Sequence, residues 1–170
     1  MNWFNLLSTG LGAFLGVLSG LIVNIVTHIH FNRKEQQRQL KNARFELEFN
    51  KTKVDEWLGY VERFRGCVVS ETPERFYHYF DFTKAPTPTL VNLYQTGKLY
   101  EYLDHEDIAK LLKIDSKRNL DYENFFNAKV EEQKNTTDKQ EALKAADVWE
   151  NMFKEDRKML LEVLNKFPDR

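Results

Sequence analysis

The first thirty-two residues contain no Lys, Arg, Asp or Glu, although charged residues make up 30 % of the chain. Residues 4–29 are apolar apart from Asn, Ser, Thr and His. As a helix, that run spans roughly 39 Å at about 1.5 Å per residue. The hydrocarbon core of a bilayer is roughly 30 Å thick, so the run can cross it with tilt. A cleaved leader is the competing reading. It fits poorly, because no Lys or Arg precedes the run and "HIHFNRKEQQRQLKNAR" follows it in place of a small-x-small cleavage site. The expectation is an uncleaved single-pass anchor. Arg33, Lys34, Arg38, Lys41 and Arg44 come just after it. The positive-inside rule then puts the N-terminus outside and the rest of the chain in the cytoplasm.

The run is not uniformly greasy. Ser8, Gly12, Gly16, Gly20 and Asn24 fall every fourth residue. At 100° per residue, Asn5, Ser8, Thr9, Gly12, Gly16, Ser19, Gly20, Asn24 and Thr27 share one half of the helix, and the bulky Leu, Ile, Val and Phe side chains share most of the other. Small residues let a second helix approach closely, and Asn is costly against lipid. Gly12, Gly16 and Gly20 are therefore the expected helix-contact residues. Asn5, Ser8, Thr9 and Asn24 are the expected pore-lining residues. A dimer would bury them dry, whereas a ring would turn them toward a wet lumen. The small half is about 160° wide at that spacing, more than one helix contact uses, which favours a homo-oligomer of six or more subunits in the lipid bilayer.

Beyond the anchor, Leu40, Leu47, Val54 and Val61 recur every seven residues, with Ala43, Asn50, Trp57 and Phe64 three later. That a/d pattern predicts a long helix stopped at Gly66. Its stripe packs on the chain's own later helices or zips subunits together. Further helices are predicted from Thr72-Pro73 through an aromatic cluster, from Thr87-Pro88 to Gly97, from Asp104, from Ser116, and from about 138 to 166. The expected fold class is all-α, with 1–31 as a transmembrane helix, 32–66 as a juxtamembrane long helix and 67–170 as a cytosolic helical bundle.

Chemistry is sparse. The single cysteine, Cys67, excludes a disulfide framework. Net charge is −1, and basic residues mix with acids beyond Gly66, so no direct nucleic-acid binding is expected. His28 and His30 lie near no other ligand type, and no metal or cofactor site is expected. Arg75 and His78, at i and i+3, would share a helix face and could act on a phosphodiester. The chain contains no glycine-rich phosphate loop, no HExxH and no CxxC.

The segment "LSTGLGAFLGVLSGLIVNIVTHIH", its basic continuation and the compact remainder resemble the small membrane accessory protein of type VI-B CRISPR systems. The resemblance is one of layout and covers the whole chain. "PTLVNLYQTGKLYEYLDHEDIAKLL" also resembles a segment of bacterial single-span proteins. The CRISPR resemblance implies a ring-shaped inner-membrane pore that enhances an RNA-targeting effector in antiphage defence, with loss of membrane potential. That family is linked to HEPN ribonucleases, whose motif joins an Arg and a polar residue to a later His. Arg118-Asn119 starts that way, but "LDYENFF" follows with no His. Three readings thus stand: a homo-oligomeric pore and not an enzyme, a non-conducting membrane-tethered scaffold or adaptor, and a degenerate HEPN-type ribonuclease.

Overall fold

The computed structural model describes the backbone of residues 3–167 and the side chains of residues 19–167. Within that range it is all-helical: α1 (Trp3–Val69), α2 (Pro88–Gln95), α3 (His105–Asp115), α4 (Leu120–Lys134) and α5 (Lys139–Leu164), with short 3-10 turns at Pro73–Arg75, Phe82–Lys84 and Lys98–Glu101. Two compact units result, residues 1–39 and residues 40–170. The second unit therefore takes in much of the segment read from sequence as juxtamembrane. Among the described residues no helix is long and apolar enough to cross a membrane. The expected anchor falls largely on residues whose side chains lie outside that description.

The heptad stripe is the spine of the second unit. Ala43, Leu47, Asn50, Val54, Trp57, Val61 and Phe64 are at most 1 % exposed. They pack on the chain's own later segments, as the first of the two sequence readings has it. Helix α1 runs past Gly66 and ends in a Schellman turn. The Thr72 N–H bonds the Cys67 carbonyl at 2.9 Å, and the Glu71 N–H bonds Val68 at 3.2 Å. The left-handed residue that closes such a turn is Glu71, at φ 57°, where glycine is usual. Gly66 sits in a helical turn and carries no stop.

The segment after α1 corrects a second expectation. Residues 76–80 are not helical, and their burial alternates as in an extended chain that starts at Phe76, between two 3-10 turns. Phe76, Phe80 and Phe82 are buried and His78 is half-buried, while Tyr77 and Tyr79 face out. This is the period of an extended chain. Aromatic residues occupy both phases, which hides the alternation in the sequence. The inward rings build the centre of the core: Phe80 stacks on Phe153 at 5.7 Å and meets Phe126 edge-on at 4.9 Å, and Phe82 lies 4.7 Å from Trp57.

Helix ends follow local chemistry in most places. Asp104 accepts the Asp107 N–H, Asp138 accepts those of Gln140 and Glu141, and Gly97 takes φ 73° after α2. Ser116 is not the cap of α4. It ends α3, and Asn119 caps α4 by accepting the Tyr122 N–H at 2.8 Å. Asn ranks with Ser as a cap, and its carbonyl here reaches a free N–H of the first turn.

Candidate functional site

Two kinds of site were legible in the sequence, a helix face at the N-terminus and scattered polar residues in the bundle. In the first unit, Asn5, Ser8, Thr9, Gly12 and Gly16 lie outside the residues whose side chains are described. Gly20 and Asn24 are exposed, and a Cβ on Gly20 would meet nothing within 4 Å. Packing among the described residues gives no reason for glycine there, although glycine in a helix interior costs roughly 0.5–1 kcal/mol against Ala. Around the same turns Leu21, Ile22, Val23, Ile25, Val26, Ile29 and Phe31 are between 47 % and 69 % exposed. They point in every direction around the helix. Burying side chains of this size is worth roughly 1.5–3 kcal/mol each, so this stretch leaves on the order of 10 kcal/mol of burial unrealised within the chain.

In the second unit the candidate catalytic residues separate. Arg75 and His78 share no helix face, because the chain is extended there. His78 instead meets Arg63 of α1, with 2.9 Å between Nη1 and Nε2, and stacks on the Tyr60 ring at 4.4 Å. Burial, and then the Arg63 charge, push its pKa below the ordinary histidine value. A neutral imidazole that accepts from Arg63 is a packing element here. Arg118 lies 5.7 Å from the Trp57 ring centroid and donates to the Ala85 carbonyl at 3.0 Å. Burial pushes its guanidinium down to about 10. Asn119 is the α4 cap. Neither residue is paired with a histidine, so the arrangement offers structural roles for the pair.

The buried polar groups join elements. Asn127 spans the backbone of Phe80, accepting its N–H at 2.9 Å and donating to its carbonyl at 2.9 Å. Glu123 accepts both the N–H and the hydroxyl of Thr83 at 2.8 Å. Lys117 meets both oxygens of Asp156 at 2.8 Å. Burial still holds the Asp156 carboxyl above its usual range, with Lys117 opposing. Asp107, fully buried, pairs with Lys110 and Lys166. Among the described residues, no group of three or more His, Cys, Asp or Glu side chains is placed to hold a metal ion. Sequence reasoning missed Asn127 and Glu123 as ties to the extended segment. No sequence signal marks them, because residues 76–82 carry aromatic rings on both phases and so hide the segment that needs such ties.

No family model, no curated protein and no solved structure matches the chain.

Proposed function

We propose that the chain is a membrane-anchored protein that self-associates through residues 4–29 and forms a pore in the bacterial inner membrane. The observation that supports this most is the exposed apolar stretch from Leu21 to Phe31, which no other part of the described chain covers. A helical stretch that leaves this much apolar surface exposed belongs in lipid or in a helix assembly. The uncharged run continues N-terminally from it. The small residues at Gly12, Gly16 and Gly20 give the helix contact, and Asn5, Ser8, Thr9 and Asn24 face the lumen. The layout shared with the type VI-B CRISPR accessory family extends the proposal to membrane depolarisation in antiphage defence, alongside an RNA-targeting effector.

The second reading is a non-conducting membrane tether. One observation favours it: the heptad stripe from Ala43 to Phe64 is buried inside the chain's own bundle, so no a/d seam is left to zip subunits together. Native mass spectrometry of the detergent-solubilised chain separates the two. A ring of six or more subunits that falls apart in Gly16→Leu, and conducts in planar bilayers before the change, supports the pore. A monomer or dimer, or a ring indifferent to Gly16→Leu, overturns the interface and leaves the tether.

A further inference from the structure

Helix α1 runs without a break through residues 29–38, all of them in the unit formed by residues 1–39. Ile29 and Phe31 are 47 % and 69 % exposed, and they are the last large apolar side chains of the charge-free run. Arg33 and Lys34, the first charged residues of the chain, follow within a turn and are exposed. At about 1.5 Å per residue, Arg33 lies roughly 3 Å past Phe31 along the helix axis and Lys34 roughly 4–5 Å. The headgroup layer on each side of a bilayer is roughly 5–8 Å deep, half the difference between its total and its hydrocarbon thickness. With Phe31 at the edge of the hydrocarbon, both cations stand in the layer that holds the lipid phosphates. Arg38, roughly 10 Å past Phe31, stands beyond that layer.

Charge pairing follows the same depth. Glu35 is the only acidic residue among the first forty-five, and it pairs with Arg38, whose Nη2 lies 2.9 Å from its Oε2. Arg33 and Lys34 have no ion pair among the described residues. The two cations at phosphate depth are thus the ones the chain leaves unmatched. We propose that Arg33 and Lys34 bind the phosphates of anionic phospholipids, headgroups of the phosphatidylglycerol kind that carry a net negative charge and no ammonium. Arg presents a planar fork of donors that fits two phosphate oxygens, and Lys a compact point charge. Their aliphatic stems stay against the apolar edge of the bilayer while the charged ends reach the phosphates. Neighbours in sequence point about 100° apart around a helix, so the two meet separate lipids. A zwitterionic headgroup is the poorer partner, because its own ammonium already matches its phosphate. The inference rests on residues 4–29 spanning the membrane, and adds to that reading the class of lipid the span selects.

The test is native mass spectrometry of the full chain in detergent, offered equal amounts of phosphatidylglycerol and phosphatidylcholine with the same acyl chains. The chain should retain phosphatidylglycerol in preference by roughly tenfold or more, since each cation near an anionic surface contributes about fivefold. Arg33→Gln together with Lys34→Gln should erase the preference. Both side chains are exposed, so helix content by circular dichroism should stay as it was. Glu35→Gln together with Arg38→Gln removes an ion pair without changing the net charge, and should keep the preference. Equal retention of the two lipids overturns the proposal, as does a preference that survives the Arg33 and Lys34 changes. A preference lost equally in the Glu35 and Arg38 variant overturns it too, because the site would then lie past the phosphate layer. Flotation with pure phosphatidylcholine vesicles at high salt reads the span separately. A chain that floats there but shows no lipid preference loses this inference alone. A chain that stays behind loses the span and this inference with it.

Discussion

Asn127 shows how much one side chain can decide. Its amide offers Phe80 the acceptor and donor that a neighbouring strand would offer, in a chain with no strand among its described residues. Without it, a backbone N–H and a carbonyl would be buried unpaired among Phe126, Phe153 and Phe82. Asn127→Leu keeps the volume and removes both bonds. Urea denaturation should show a loss of roughly 2–4 kcal/mol, since each orphaned buried group costs about 1–3 kcal/mol, at an unchanged m-value. An unshifted midpoint would mean that ring packing alone holds the extended segment. His78 belongs to the same scale: Arg63 and Tyr60 hold it as a neutral packing group, and its spacing from Arg75 is incidental.

Among the elements, α2 is the one that cannot stand alone. Eight residues are too few for an isolated helix in water. Thr87 occupies the cap position but makes no side-chain cap bond, its hydroxyl being engaged by Asp115. The free N–H groups of the first turn go instead to Glu46 of α1, which accepts from Thr89 at 2.8 Å and from Leu90 at 3.1 Å. A carboxylate there also suits the positive end of the helix. Glu46→Ala should cost about 1–2 kcal/mol, the range for a lost charged cap. It should also speed hydrogen exchange at Thr89 and Leu90 while leaving the α5 amides as they were. Unchanged protection in α2 would show that Glu46 caps nothing. Facing pairs hold α3 to α5 in the same tertiary manner, with Lys113–Glu155 at 2.8 Å and Lys110–Glu162 at 2.9 Å.

For the whole molecule, the division into residues 1–39 and 40–170 has an energetic meaning. The buried hydrophobic core begins at Ala43, and every described large apolar side chain from Leu21 to Phe31 is exposed. A chain consisting of residues 40–170 should therefore melt cooperatively, within a few degrees of the full-length protein, when followed by circular dichroism. It should stay monomeric by size-exclusion chromatography under conditions where the full chain associates. A broad, uncooperative melt would show that the first 39 residues complete the core. Association of the shortened chain would move the contact surface into the bundle.

What the sequence determined by itself is what depends on neighbours a few residues apart. The charge-free run is there, as are the heptad stripe of α1, the cap at Asp104 and the glycine stop at Gly97, because helix periodicity and capping act over one turn. What only the tertiary structure decided depends on partners far along the chain. Residues 76–80 leave the helix where Asn127, forty-seven positions after Phe80, pairs with its backbone. Helix α2 is capped from Glu46, forty-three positions before Thr89. Asn50 reads in the sequence as one more member of the stripe. Its unpaired oxygen comes into being only when Pro86, thirty-six positions on, takes one amide proton and the apolar walls close around the rest. Local propensity is written residue by residue, whereas the satisfaction of a buried polar group is a property of whatever the folded chain brings to it.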